Sequence, residues 1–182
     1  MVSKTVSRTL LLASWLILGS ANVAASPAAP LDDLVEVGSG EMRWFGMDLY
    51  AARLWSGDGR YTQGSDSGAV ALEIIYRRHI SRQRLVRTTG SEWDRLGREL
   101  GLNGGPQLKA WLAELADIWP DVTPGDRIIA LNEPNGPTRF YGNDGLLGVI
   151  EDPEFGPAFL GIWLHPGTRA ADLRAALIGA PR

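Results

Sequence analysis

The sequence predicts a single α+β domain in which helices pack on one face of an antiparallel sheet. Segments with alternating apolar residues stand before and after a central region whose apolar residues recur every three or four positions. The dipeptide Asn135-Gly136 separates two of the later strand segments and supplies the positive φ values that a tight hairpin requires. No repeat of solenoid length is present in the sequence, so a repeat architecture is not expected.

Three strands are expected before the helices. The first begins at Val35 and Val37 and runs toward Arg43, the second covers 47–55, and the third covers 70–76. The second strand is rich in residues that suit a half-buried pleated surface. Glycine and serine residues between the second and third strands mark a loop.

Two helices are expected in the centre of the chain. Ser81 is a suitable N-cap for the first, and Pro106 and Pro120 mark the first turn and the end of the second. The residues that recur with helical spacing are Leu85, Thr89, Trp93, Leu96 and Leu100 in the first helix, and Leu108, Trp111, Leu112, Leu115, Ile118 and Trp119 in the second.

Strands return in the last third of the chain, and two further helices end it. The strands are expected at 126–131, 138–141 and 146–150. Asp152 is the predicted cap of the next helix, with Pro153 at its first position, because acidic residues and proline favour a helix start. His165 is expected to help end that helix, and the last helix is expected from near Thr168 to Gly179.

The first 25 residues have the features of a secretory signal peptide. Lys4 and Arg8 precede the apolar run 10–18, and Val23-Ala24-Ala25 suits cleavage before Ser26. The run is too short for a membrane-spanning helix, and no later segment is long enough. We therefore expect a signal peptide over 1–25, a tether over 26–32 and one domain over 33–180. The mature protein is expected in the periplasm or secreted, and not integral to the membrane.

Composition argues against several classes of site. The chain contains no cysteine, which excludes disulfides, thiolate catalysis, iron–sulfur clusters and thiolate zinc sites. Loss of Lys4 and Arg8 would lower the formal net charge from −3 to −5, which argues against nucleic acid or anionic membranes as general partners. Nucleotide-binding glycine motifs and a GxSxG motif are missing, and His79 and His165 have no carboxylate at ligand spacing. We expect no metal and no cofactor.

The stretch GSGEMRWFGMDLYAARLW, 38–55, places Arg43 and Tyr50 among apolar and aromatic residues. Six tryptophans lie beyond the signal segment, and a core of large rings often leaves an apolar cleft in which a small molecule binds. A guanidinium in such a cleft keeps its charge and needs an anionic partner. A ligand carboxylate held by Arg43 and the Tyr50 hydroxyl would supply one. The alternative is that Arg43 is half exposed and pairs with an acidic residue on the surface.

Two segments resemble the chalcone isomerase-like family in their order and spacing. The first is GSGEMRWFGMDLYAARLW, and the second is PGDRIIALNEPNGPTRFYGNDGLLGVIEDPEFGPAFLGIWLHP, 124–166. The resemblance covers about residues 35–179 and is nearest to the bacterial branch whose members carry a signal peptide. It implies the chalcone isomerase fold, which is an open-faced β-sandwich with a helical layer on one face of an antiparallel sheet and a ligand cleft between the layers.

The resemblance also implies which residues occupy the catalytic positions of the plant enzymes. Arg43 can stand at the arginine that stabilises the oxyanion, and Tyr50 stands where a threonine orders a water. The helical tyrosine and asparagine of the family fall near Leu85 and Glu92, and its C-terminal serine or threonine falls near Gly156. Of these five family positions, only the arginine is kept in this sequence. An arginine with a tyrosine at the threonine position instead resembles the fatty-acid-binding members of the family.

These observations lead to three hypotheses. The first is an exported, non-catalytic protein that binds a fatty acid or similar amphipathic carboxylate with Arg43 and Tyr50. The second is an isomerase or intramolecular lyase that uses Arg43 as the electrophile and Tyr50 as the acid, which would require a shifted pKa of Tyr50. The third is a structural or partner-binding protein whose own tryptophans close the cleft.

Overall fold

The computed structural model describes residues 30–62, 68–102 and 104–179. The expected signal peptide, 1–25, and most of the tether lie outside the described residues. The elements are β1 (Val35–Trp44), β2 (Met47–Ser56), β3 (Val70–Tyr76), α1 (Arg82–Leu96), α2 (Pro106–Ile118), β4 (Arg127–Asn132), β5 (Thr138–Gly142), β6 (Gly145–Ile150), α3 (Phe155–Leu164) and α4 (Ala171–Leu177).

The six strands form one antiparallel sheet in which spatial order equals sequence order, β1-β2-β3-β4-β5-β6. The first helical pair is inserted without changing that order, since β3 and β4 are neighbours although α1 and α2 separate them in the chain. Asn135 has a φ of 51° in the β4–β5 connection, as the Asn-Gly signal predicted. The α+β class and the open-faced antiparallel sheet expected from the sequence are therefore confirmed.

The helices cover the sheet from one edge to the other. Helix α4 contacts β1 and β2, α2 contacts β6, and α1 packs on α2 and α3. On β3 the residues Leu72, Ile74 and Tyr76 alternate into the core beneath the helices, whereas Glu73 points to the other face. In the described part of the chain, no helix combines the length and hydrophobicity needed to cross a membrane.

Aromatic rings fill the core between α1, α2, α3 and β5. Phe155 is in contact with Trp93, Trp111, Phe140 and Phe159, with ring centroids 5.5 to 5.9 Å apart. Each such pair contributes about 0.5–1.5 kcal/mol beyond the area that it buries. Phe155 and the four rings around it thus pack the part of the helix–sheet interface between α1, α2, α3 and β5.

The glycines in Gly38-Ser39-Gly40 explain how closely α4 lies against β1. A Cβ added to Gly38 would stand 2.2 Å from the carbonyl oxygen of Ala176, and one added to Gly40 would stand 2.9 Å from Cδ1 of Leu173. Because real Cβ atoms do not approach backbone oxygens so closely, glycine is required where the helix meets the strand.

Two helix starts differ from the sequence prediction. Helix α3 begins at Phe155 rather than Pro153, with Glu154 as its N-cap. The Asp152 carboxylate accepts a hydrogen bond from the Glu154 N–H at 3.0 Å, so it forms a turn before the helix instead of capping it. Helix α4 is shorter than expected and begins at Ala171, because Thr168 accepts the Ala170 N–H in a preceding turn. Ser81 and His165 cap α1 and α3 as predicted.

Candidate ligand site between the sheet and the helices

Tyr50 lies on the helical side of β2 and packs against the core. Its hydroxyl oxygen accepts a hydrogen bond from Nε1 of Trp163 on α3 at 2.9 Å. The Tyr50 ring meets the ring of Tyr76 edge to face, with centroids 6.3 Å apart, because the two residues are register partners on β2 and β3. Strand pairing and a contact from α3 therefore fix the Tyr50 hydroxyl inside the helix–sheet interface.

Burial sets the protonation state of both phenols. Desolvation raises the pKa of Tyr50 to about 12, and the negative charge of Glu92 adds to this, although the Trp163 hydrogen bond opposes it. Burial and the neighbouring Tyr50 also raise the pKa of Tyr76. Both side chains are thus neutral hydrogen-bond donors at physiological pH. The hydrogen bond of the Tyr50 hydroxyl in the described residues is the one that it accepts from Trp163.

A group of charged side chains lies on the helical side of Tyr50 and is centred on Glu92 of α1. Arg95 donates to Oε2 of Glu92 from Nε at 3.0 Å and from Nη2 at 2.7 Å. Arg169 reaches Oε1 of the same carboxylate with Nε at 3.5 Å. Two guanidinium groups thus share one carboxylate, so the three side chains together have a formal charge of +1. The negative charge of Glu92 lies close enough to Tyr50 to raise its pKa.

The connection between α3 and α4 is bound to α1 through the same group. Arg95 Nη1 donates to the carbonyl of Gly167 at 2.8 Å, and His165 Nδ1 stands 3.5 Å from a carboxylate oxygen of Glu99. The Thr168 hydroxyl donates to the carbonyl of Ile162 at 2.8 Å. Arg169 follows directly in this connection, and its side chain is 52% exposed.

Arg43 lies elsewhere, on the surface next to the β1–β2 hairpin. Its Nε donates to Asp48 at 2.8 Å and its Nη2 donates to Glu41 at 3.0 Å, with 66% of the side chain exposed. These two carboxylates raise the pKa of Arg43. The structure therefore shows the surface-paired alternative for Arg43, and it does not bring this arginine to the Tyr50 hydroxyl. Its contact with a ligand stays a prediction.

Strand geometry explains why Arg43 and Tyr50 separate. Met42 is the register partner of Tyr50 and, like it, packs against the core. Arg43, the next residue along β1, follows an irregularity in the pairing and joins Glu41 on the exposed surface. Because successive side chains alternate between faces and a bulge redirects them, sequence spacing alone does not fix where Arg43 points.

The other positions suggested by the family resemblance fall into two groups. Leu85 packs against the core from α1, and Glu92 lies near Tyr50, so the helical positions are at the interface as expected. Gly156 is different. A Cβ at Gly156 would stand 1.8 Å from the side-chain oxygen of Asn132 and 2.8 Å from that of Thr138. This packing leaves no room for the serine or threonine that the plant enzymes carry.

The acidic residues near Asp152 have a structural role. One carboxylate oxygen of Asp152 accepts hydrogen bonds from Nε1 of Trp111 at 3.0 Å and from Gln107 at 3.1 Å. Desolvation on its own would raise the pKa of Asp152, but the bonds from Glu154, Gln107 and Trp111 outweigh it and lower the pKa. In the ranges that the structure describes, no three side chains of the metal-binding types come together.

Sequence reasoning found Tyr50 but missed its neighbours. Trp163 and Tyr76 were assigned only to the core or a strand, and Arg95 and Arg169 were not singled out. The i,i+3 pair Glu92 and Arg95 is visible in the sequence, but such pairs are common on solvated helix faces. Only the tertiary packing shows that Glu92, one member of this pair, lies close to the partly buried Tyr50 hydroxyl.

Comparisons with known proteins agree with this fold. A family model described as chalcone isomerase-like matches residues 26–179. An uncharacterized protein of Haemophilus influenzae is 30% identical over 154 residues, which cover 84% of this chain and 71% of that protein. The crystal structure of a fatty-acid binding protein of Arabidopsis thaliana superposes with a TM-score of 0.62 at 12% identity, over 84% of this chain and 90% of that one. The protein therefore belongs to the chalcone isomerase-like family.

Proposed function

We propose that this protein is an exported, non-catalytic carrier that binds a fatty acid or a similar amphipathic carboxylate between the sheet and the helices. The observation that carries the proposal is the Tyr50 hydroxyl. It is partly buried against the core, it is protonated at neutral pH, and its one hydrogen-bond partner among the described residues, Trp163, donates to it. Its own proton is left for an acceptor, and a carboxylate oxygen is a strong one.

The charged group centred on Glu92 supplies the cations for an acidic headgroup. Arg95 and Arg169 carry two positive charges, and Glu92 carries one negative charge, so one positive charge is in excess. The contact from Arg169 is a single long one, and its side chain is half exposed, so it can exchange Glu92 for a ligand at little cost. We assign the headgroup to Tyr50, with Arg169 as the cation that a ligand can recruit from Glu92. Arg43, as first expected, would have to give up both Glu41 and Asp48 to take that place.

Catalysis is the weaker alternative on chemical grounds. An acid with a pKa near 12 holds its proton tightly at neutral pH and is a poor proton donor in a reaction. The crowding at Gly156 also removes a substrate contact that the plant isomerases use. The structural similarity to a fatty-acid binding protein supports the fold that such a carrier needs.

Titration of the delipidated protein with oleate tests the proposal. We expect saturable binding by calorimetry and a loss of about ten- to a hundredfold in affinity for Tyr50→Phe, the range for one charge-assisted hydrogen bond. Tyr141→Phe is the matched control, because Tyr141 pairs with Ile129 on the opposite face of the sheet. Failure of the parent protein to bind oleate, or equal affinities of the two variants, would contradict the proposal.

Two arginine variants test which cation contacts the ligand carboxylate. Arg169→Ala is expected to weaken oleate binding about tenfold, while Arg43→Ala is expected to change it less than about twofold. The reverse result would restore Arg43 as the headgroup contact and reject the assignment to Arg169. A turnover assay with chalcones addresses the isomerase alternative, for which we expect no rate above background and no difference between the parent and Tyr50→Phe.

Export is tested separately. Cell fractionation followed by N-terminal sequencing should recover the protein outside the cytoplasm with Ser26 as its first residue. A cytoplasmic protein that retains Met1 would reject the signal peptide without bearing on the ligand.

A further inference from the structure

The turn between β1 and β2 exposes three large apolar side chains. Trp44, Phe45 and Met47, which we call the apolar tip, are 47%, 87% and 42% exposed. The Trp44 and Phe45 rings touch edge to face at 5.2 Å, and the tip lies at one end of the sheet. Scattered single apolar residues are common on protein surfaces, but three within four residues at the end of a hairpin form a projecting apolar surface.

Phe45 is an unfavourable choice for the turn that it occupies. Trp44 and Met47 pair across a two-residue loop in which Phe45 has a φ of 46° and Gly46 a φ of 75°. A loop with two positive φ values strongly prefers Asn-Gly, and bulky residues rarely adopt this conformation. The same chain places Asn135, with a φ of 51°, in its β4–β5 hairpin. Phenylalanine at position 45 thus works against local stability, which is typical of a residue kept for function.

Four arginines without an ion pair in the described residues follow the end of β3 that pairs with the start of β2. Arg78 Nε donates to the backbone carbonyl of Asp48 at 3.3 Å, and the Arg77 N–H donates to that of Leu49 at 2.9 Å, so both lie beside the start of β2. Arg82 and Arg84 occupy the first turn of α1 a few residues later. We call these four arginines the basic end. All four are exposed, and none forms an ion pair within the described ranges.

Two arginines of the basic end lie where positive charge is unfavourable for a helix. Positive charge is unfavourable in the first turn of a helix, where the macrodipole is positive, and α1 has no acidic residue there. The nearby carboxylates are already engaged with other groups. Glu41 and Asp48 bind Arg43, Asp121 accepts the Arg82 N–H, and Asp126 accepts from Thr123. Arg43 and the four arginines of the basic end together exceed these four carboxylates by one charge, although the whole chain has a formal net charge of −3.

We propose that the apolar tip and the basic end dock the protein on the surface of an anionic phospholipid bilayer. Trp44, Phe45 and Met47 would enter the interfacial region, where aromatic rings are favoured, and the arginines would bind lipid phosphates. Screening within about 10 Å lets these local charges act despite the acidic net charge. The proposal concerns a lipid surface and does not depend on the ligand assigned to Tyr50.

The docking geometry would bring the membrane to the candidate ligand site. Tyr50 follows Phe45 by five residues on β2, a distance of roughly 17 Å along an extended strand. Its partner Tyr76 ends β3 and immediately precedes Arg77 of the basic end. A bilayer at the tip would thus lie at the end of the sheet that holds Tyr50 and Tyr76.

The cysteine-free chain permits a local test of docking. Met47→Cys in the full chain can be labelled with an environment-sensitive fluorophore, with Glu114→Cys on the exposed side of α2 as the matched control. We expect a blue shift at position 47, and none at position 114, with vesicles of phosphatidylglycerol and phosphatidylcholine. The shift should be lost with phosphatidylcholine alone or in about 0.5 M salt, because both conditions remove the contribution of charge.

Phe45→Asn, combined with Met47→Cys, tests the tip without destabilising the fold. Asparagine suits the turn, so the melting temperature should be unchanged or higher, while partitioning to anionic vesicles should fall about tenfold or more. Arg77→Gln with Arg78→Gln should lower partitioning and its salt dependence. No shift at position 47, equal shifts at both labels, or full binding by the Phe45→Asn variant would each overturn the proposal. So would position 47 responding to an acidic protein and not to anionic vesicles.

Discussion

Replacing Tyr50 with phenylalanine tests whether its hydroxyl has the structural partner that the geometry shows. The change keeps the ring contact with Tyr76 but removes the acceptor of the Trp163 indole N–H. A net hydrogen bond is worth about 0.5–1.5 kcal/mol, and a buried donor left without a partner costs about 1–3 kcal/mol. Because Trp163 is only partly buried, we expect the free energy of unfolding to fall by about 1–2 kcal/mol.

Urea denaturation of the ligand-free protein measures this loss. Tyr141→Phe is the control and should stay within about 0.5 kcal/mol of the parent. In a cycle with Trp163→Phe, the coupling between the two positions should be about 1 kcal/mol, since each variant removes the same bond. A Tyr50→Phe variant as stable as the parent, with no coupling to Trp163, would refute the reasoning that this bond positions the hydroxyl.

Three further predictions follow from the structure. Folding raises the pKa of Tyr50 from its ordinary value of 10.0 to about 12. The stability that the protonated phenol contributes is therefore complete below pH 10 and is lost as the pH rises to 12. Denaturation at increasing pH should show the free energy of unfolding fall by about 2–3 kcal/mol, and Tyr50→Phe should reduce this fall. Glu73 is buried with Arg53 at 3.9 Å and Arg127 at 3.6 Å, and one of its oxygens has no hydrogen bond. Glu73→Met should therefore be neutral or stabilising by about 1 kcal/mol, whereas Arg53→Ala with Arg127→Ala should cost about 3 kcal/mol, both by chemical denaturation. Gly38→Ala should lower the free energy of unfolding by about 1–3 kcal/mol, because the added Cβ would clash with α4. The control Gly57→Ala should lower it by less than about 0.5 kcal/mol, because no atom lies near its added Cβ. Equal melting temperatures of the two variants would contradict the close approach of α4 to Gly38.

Local chemistry made most of the fold predictable. The period-two alternation over 70–76, Ser81 before a helical pattern and Asn135-Gly136 between two strands each act over a few residues, and each element formed as expected. The end of α3 at His165 was also predicted, but its start was displaced, because Asp152 and Pro153 form a turn that the same residue types favour equally well.

The candidate site was only partly predictable. Tyr50 was identified from its place among apolar residues, and its burial agrees with that reasoning. The expected partnership with Arg43 required both side chains to leave their strands on the same face. Met42, not Arg43, is the register partner of Tyr50, so Arg43 points to the opposite face, and register is set by the pairing of the strands rather than by local sequence.

Periodicity, turn residues and motif order were sufficient to predict the order of strands and helices and the family, and composition excluded cysteine chemistry. The meeting of polar groups could not be predicted in this way, because it depends on tertiary packing. Tyr50, Glu92 and the pair Trp163 and Arg169 come from three distant segments, and packing of the helical layer on the sheet brings them together. Contacts of this kind depend on the direction of each side chain in three dimensions, which residue spacing along one chain does not specify.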